Sequence, residues 1–167
     1  PIKTNAGKLV VRSVAYDPVT KISSTVSEEK FDIARRHWKI IGTADQNAYH
    51  VLDGNSGSQW YQDKNGKMPV DLVIDLGNVE NVSGFRYLPD QNWWAGGIIT
   101  NYRFFVSRDG QEWKLVDEGE FANIKNNPLW QSKSFATVKA RFIKLQALLN
   151  TQNDHAAGYA EFDIITE

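Results

Sequence analysis

Pro89 is followed by Asp90-Gln91-Asn92-Trp93-Trp94-Ala95-Gly96-Gly97, a run that sets two adjacent indoles among a carboxylate and planar amides. An indole offers a flat face for stacking, and an amide or carboxylate beside it can anchor hydroxyls. Together they suit a ligand with an apolar patch of C–H bonds and a rim of hydroxyls, which describes a sugar ring. Pro89 stops the strand before it, so the run sits on a loop, where strand alternation cannot turn both Trp93 and Trp94 into the core. One indole packing under the loop as a lid is an equal alternative. Two other stretches share the polar make-up: Asn150-Thr151-Gln152-Asn153-Asp154-His155-Ala156-Ala157-Gly158-Tyr159, and Arg35-Arg36-His37-Trp38 with Asp45, Gln46 and Asn47. The candidate ligand contacts are therefore Trp93, Trp94, Asn92, Gln91, Asp90, Trp38, His37, Asn153, His155 and Tyr159.

None of these residues makes a catalytic set. A glycosidase needs two carboxylates facing each other at roughly 5 to 9.5 Å. Asp45 with Asp53, or Asp154 with Glu161, can be named, but neither pair stands in a catalytic motif. Gly-x-Ser-x-Gly and phosphate-cradling glycine loops are absent from the sequence. His37, His50 and His155 are too scattered for a metal-ligand spacing, and His50 has the character of a structural residue. The expected activity is recognition without bond breaking.

The elements that must hold these loops are strands. Leu72, Ile74 and Leu76 alternate with Val73 and Asp75 before a turn signal at Gly77-Asn78. Phe85 and Tyr87 open the next strand, and Tyr102, Phe104 and Val106 share a face of another. Ser107-Arg108-Asp109-Gly110-Gln111 predicts a tight hairpin, after which Trp113 and Leu115 resume the pattern. Residues 138–147 and 160–164 complete the set. Ser27-Glu28-Glu29-Lys30 has the look of a weakly capped helical turn. The fold class is all-β, with a sandwich favoured over a barrel or an α/β scaffold.

The 167 residues, 41% hydrophobic and 12% aromatic, suffice for one full core. A net charge of −1 gives no global pull toward nucleic acid or an anionic membrane. Spikes such as Trp93, Trp94, Ile98 and Ile99 lack the basic neighbours of a phospholipid binder. There is no cysteine, no stretch of roughly 18 consecutive apolar residues, and no signal-peptide core in residues 1–8. Residues 1–26, with one strand at 9–14 and a Ser/Thr-rich stretch, are expected to be a linker or the tail of a preceding domain, leaving 27–167 as the module.

From Asp53-Gly54-Asn55 with Ser58 and Trp60 onward, the chain resembles the discoidin, or coagulation-factor type C, modules. The match continues through Val73-Ile74-Asp75-Leu76-Gly77, Gly84-Phe85-Arg86-Tyr87-Leu88-Pro89, Tyr102-Arg103-Phe104-Phe105-Val106-Ser107, Ala140-Arg141-Phe142-Ile143-Lys144-Leu145 and Ala160-Glu161-Phe162. The resemblance implies a galactose-binding-like jelly-roll β-sandwich of about eight main strands. It implies a structural calcium held by the carboxylates of Asp53 and Glu161 and by oxygens around Asn55 and Ser58. It also implies an extracellular or periplasmic accessory module of a glycoside hydrolase, whose partners are a hexosamine-, galactose- or fucose-containing glycan and a catalytic domain in the same parent chain. Protein or cell-surface adhesion without glycan binding is the alternative, ahead of phospholipid binding or catalysis. Many members have Arg after the Tyr-x-Pro phrase; here that position is Asp90, which points to an altered set of contacts.

Overall fold

The computed structural model describes residues 9–31, 33–63, 67–92 and 95–166. It divides into two compact units, residues 1–36 and 37–167. In the first, β1 (Leu9–Ser13) pairs antiparallel with β4 (Ser27–Phe31), and the short β2 (Tyr16–Asp17) and β3 (Ile22–Ser23) pair with each other. The expected helical turn at Ser27 is thus a strand. Its backbone groups pair with β1, and Glu28 meets Arg12 across the ladder at 2.6 Å, a contact that local propensity cannot register. β4 and the residues up to Arg36 fall within this unit.

The second unit is all-β. After β5 (Lys39–Ile41), a 3-10 turn (Gln46–Leu52) and β6 (Trp60–Asp63) come two long strands, β7 (Val70–Leu88) and β10 (Gln131–Asn150). β8 (Ile99–Ser107), β9 (Lys114–Glu120), β11 (Ala156–Tyr159) and β12 (Glu161–Thr166) complete it. The main sheet runs β12-β7-β10-β8-β9, with β5 added to β7, while β11 pairs with β6.

The sequence places a turn at Gly77-Asn78, but β7 does not end there. Its pairing with β10 jumps from Phe142↔Asp75 to Ala140↔Glu80, so four residues of β7 bulge opposite Arg141. Nε and Nη2 of Arg141 each donate to the Asp75 carboxylate at 2.9 Å, and the Gly77 amide donates to it at 2.8 Å. Gly77 has φ +79°, and a Cβ there would stand 2.9 Å from that of His37, so the bulge requires glycine. Turn and bulge use the same residue types, which is why sequence alone confuses them.

The bulge folds the β7–β10 ribbon over on itself and makes the sandwich. Phe85, beyond the bend, stacks on Phe104 of β8 at 4.3 Å and lies edge-on to Tyr102 at 5.3 Å. Leu72, Ile74 and Leu76 of β7 face inward, as do Ile143 and Leu145 of β10 and Phe162 and Ile164 of β12. Each such side chain contributes about 1.5–3 kcal/mol by leaving water. The fold also gives the unit two distinct ends. One holds the bend and the β8–β9 hairpin; the other collects the start and finish of β7, the start of β8 and the end of β10.

Candidate functional site

The sequence predicts polar loops at 90–97 and 150–159, and residues 95–98 and 150–158 meet at the second of these ends. Backbone bonds join them: Thr151 donates to the Ile98 carbonyl at 2.9 Å and Gly158 to that of Gly97 at 2.8 Å. The Gln152 side chain accepts from the Gly97 amide at 2.9 Å. Contact is close enough that a Cβ on Gly158 would lie 2.6 Å from the Gly96 carbonyl oxygen. From the core, the buried Tyr87 hydroxyl donates to the Gly158 carbonyl at 2.6 Å and accepts from the Ile99 amide at 3.3 Å.

Tyr61, which sequence reading passed over, stands beside this junction. In β6 the alternation of a strand turns Trp60 inward, 3% exposed and stacked on Tyr159, and leaves Tyr61 39% exposed. The Tyr61 hydroxyl donates to the Asp90 carboxylate and accepts from the Gly96 amide at 3.2 Å. Burial of the hydroxyl and its bond to Asp90 push the phenol up to about 12. The remaining Asp90 oxygen accepts from the Asn92 backbone at 2.9 Å and side chain at 2.8 Å. Asp90 is 1% exposed, so it anchors the loop from within rather than facing a ligand. That corrects its expected role as a ligand contact.

The other sequence candidates separate clearly. Gln91 and Asn92 are exposed; Gln91 donates to the Pro89 and Pro128 carbonyls at 2.7 and 2.8 Å. Asn153 is exposed at a left-handed turn with φ +56°, and His155 is half-buried. Tyr159 is fully buried and Trp38 is 7% exposed, so both belong to the core and not to a ligand platform. His37 is exposed but sits against the Gly77 bend, at the opposite end, so it does not join the other two rims. Asp45 of that rim caps the 3-10 turn, accepting from Asn47 at 2.9 Å and from the Trp60 indole at 2.8 Å. Trp93 and Trp94 lie outside the described residues. Another exposed ring, Trp130 at 42%, lies under the Arg86 guanidinium, 5.1 Å from its centroid. Its loop is tied to Gln91 through Pro128.

The predicted metal residues also converge. Asp53 accepts from the Asn55 amide and the Ser58 hydroxyl, both at 2.8 Å, and Ser58 Oγ also contacts the Asn55 carbonyl at 2.7 Å. Glu161, the first residue of β12, is 2% exposed, and its carboxyl is in hydrogen-bonding contact with Asp53. Burial works to raise the Asp53 carboxyl, but these donors outweigh it and hold it below the ordinary range. Two carboxyls in contact, one of them buried, call for a shared cation or proton. A turn rich in carbonyl and hydroxyl oxygen fits a hard cation such as calcium. Among the described residues no group of three His, Cys, Asp or Glu gathers, so neutral oxygens would have to complete such a cage. His50, beside this turn, places Nδ1 3.2 Å from the Gln59 carbonyl oxygen, a structural role.

The F5/8 type C domain pattern matches residues 23–162. No curated protein matches. Solved structures do. The CBM32-5 module of CpGH89 from Clostridium perfringens, in complex with GalNAc-β-1,3-galactose, is 24% identical with a TM-score of 0.68 over 78% of this chain and 96% of that one. The family 32 carbohydrate-binding module of NanJ from the same organism, in complex with galactose, is 23% identical with a TM-score of 0.64, covering 78% and 94%. The C-terminal domain of a chitobiase from Bacteroides fragilis is 22% identical with a TM-score of 0.66, covering 81% and 97%. The likeness extends over the jelly-roll sandwich.

Proposed function

Since the chain belongs to the F5/8 type C domain family, we propose that it is a non-catalytic carbohydrate-binding module that holds a glycoside hydrolase on its glycan. The observation that carries this reading is the convergence of Asp90, residues 95–98 and residues 150–158 beside the exposed Tyr61 ring. The ring is fixed at its hydroxyl by Asp90 and Gly96, and therefore meets a ligand already ordered. The exposed Gln91, Asn92 and Asn153 side chains on the same two segments carry amide oxygens suited to hydroxyls. The neighbours in complex with galactose and GalNAc-β-1,3-galactose support a galactose- or hexosamine-containing ligand. Carboxylates at this end are already engaged: Asp90 by Tyr61 and Asn92, Asp154 by Asn150 and Ala156, Glu161 by Asp53. That leaves recognition as the chemistry, with weak affinity made sufficient by tethering to a catalytic domain in the same chain, outside the cell or in the periplasm.

A glycan array followed by calorimetry with a galactose-containing disaccharide tests the reading. Tyr61→Ala, Trp93→Ala and Trp94→Ala are compared with the unaltered chain. Loss of a stacking ring is expected to weaken binding about tenfold. Binding to no glycan at all would overturn the proposal in favour of an adhesion domain.

Calcium is part of the same proposal, with Asp53 and Glu161 supplying charge and Asn55 and Ser58 neutral oxygens. The ion would neutralise the carboxyl pair and lock the start of β12 to the 53–58 turn. At a hundredfold excess over its dissociation constant it adds about 2.7 kcal/mol, so a chelator should lower the melting temperature by roughly 5–10 °C. Restoring calcium should reverse the loss. Equal melts with and without chelator would remove the ion from the proposal.

A further inference from the structure

The bend end of the sandwich carries a groove of about 500 Å³ that no part of the glycan reading uses, lined by Val106, Ser107, Arg108, Asp109, Glu112, Trp113, Lys114, Val138 and Lys139. It is remote from Tyr61 and residues 90–98. β8 separates the two ends, and its nine residues at about 3.3 Å each span roughly 26 Å. We propose that this groove is a second binding site, for an acidic saccharide: a sugar ring bearing a carboxylate or a sulfate.

Three features support that ligand class. Trp113 lines the groove with its indole held in place, because Lys144 Nζ sits 4.6 Å from its centroid and 4.7 Å from that of Phe105. A fixed aromatic surface is what the C–H face of a pyranose stacks on. Arg108, Lys114 and Lys139 supply three cations, and among the described residues none of them forms an ion pair. Arg108 Nε donates to the Lys139 carbonyl at 3.5 Å, which leaves its two Nη groups and both ammonium groups available to an anion from solution.

Acidic groups share the groove, and they decide between a sugar and a bare anion. Asp109 is exposed and only its Oδ1 is tied to its own hairpin, accepting from the Gln111 and Glu112 amides at 2.9 and 3.0 Å and from Ser107 Oγ at 3.0 Å, so its Oδ2 joins Glu112 as an acceptor for hydroxyls. Glu112 is exposed and would repel an inorganic anion, but it is a good acceptor for a hydroxyl. Cations, a hydroxyl acceptor and a ring in one concavity fit a ligand that carries an anionic group, hydroxyls and an apolar face together. A chain with one site at each end would engage two points on an acidic glycan, or cross-link two glycans.

The test is an amide-resolved NMR titration of the whole chain with a galacturonate disaccharide, a 6-sulfated galactose and a neutral galactose disaccharide. Both acidic sugars, or the preferred one of the two, should move the signals of residues 107–114 and 138–139. Binding should weaken as salt rises. Lys114→Glu with Lys139→Glu should weaken it about tenfold, with the melting temperature unchanged as proof of folding. Trp113→Ala should weaken it as well, and Tyr61→Ala should not. The proposal fails if the neutral sugar moves the same signals equally, if the acidic sugars act only at residues 90–98 and 150–158, or if the double charge reversal binds as before. A tetraglutamate peptide that displaces the sugars with equal affinity would assign the groove to acidic peptides and also overturn it.

Discussion

At one end of the sandwich, residues 95–98 and 150–158 are bonded to one another; at the other, residues 107–112 bond to their own backbone and leave cations facing water. The first end is joined across long sequence distances, through Gln152 to Gly97, Tyr61 to Asp90 and Tyr87 to Gly158. The second is local: Ser107 and Asp109 accept the amides of Gly110, Gln111 and Glu112 within a single turn. A surface built from distant segments is rigid but shared, so damage to one loop reaches the other. A self-contained hairpin can vary its exposed charges with little effect on the fold.

Adding one methyl group at each end separates these cases most strongly. In Gly158→Ala the new Cβ would stand 2.6 Å from the Gly96 carbonyl and 3.0 Å from the Tyr61 ring. Backbone must move, at a cost of about 1–3 kcal/mol. Loss of glycan affinity should accompany the fall in melting temperature. In Gly110→Ala the Cβ would meet the Phe142 ring at an ordinary 3.5 Å, so the penalty is confined to φ +77°, about 1–2 kcal/mol. Glycan binding at the far end should be untouched. Equal binding losses in the two variants would show that the ends are not independent.

The same contrast sets what the sequence could disclose. Period-two burial placed Leu72, Ile74 and Leu76 inside, and Asp109-Gly110 marked the hairpin, because both signals are local. Ser27-Glu28 carried a helical signal that pairing with β1 overrode. At the loop junction, polar composition identified both segments, and 150–158 could be nominated without knowing its partner. The roles inside the junction were not legible. Asp90 and Tyr61 are 29 positions apart, and nothing near either one announces the bond. Tyr159 stands at the edge of a polar stretch, yet pairs with Trp60 across β11–β6 and is sealed in. Tyr61 itself could have been found by extending strand alternation from the buried Trp60. Trp130 offered no pattern, being exposed between Pro128 and the start of β10.

Proton titration gives the finest separation of the two ends. The folded-state phenol of Tyr61 is raised from 10.0 to about 12, so the neutral hydroxyl contributes stability that is fully present below pH ~10 and is lost as pH climbs through ~12. The Asp109 carboxyl is lowered from 3.8 by the Gln111 and Glu112 amides and the Ser107 hydroxyl. Its contribution is present above that ordinary value and disappears as pH falls through the depressed one. NMR of residues 95–98 and 107–112 should therefore change on opposite sides of neutrality: the first group in alkali, the second in acid. Acid also reaches Asp45 and Asp53, both lowered by their own donors, so the test compares these two segments and not whole ends. Tyr61→Phe should abolish the alkaline change and leave the acid change of residues 107–112 in place. If 95–98 still rearrange between pH ~10 and ~12 in that variant, the Tyr61–Asp90 bond is not what fixes the loop, and the contrast between the two ends loses its main support.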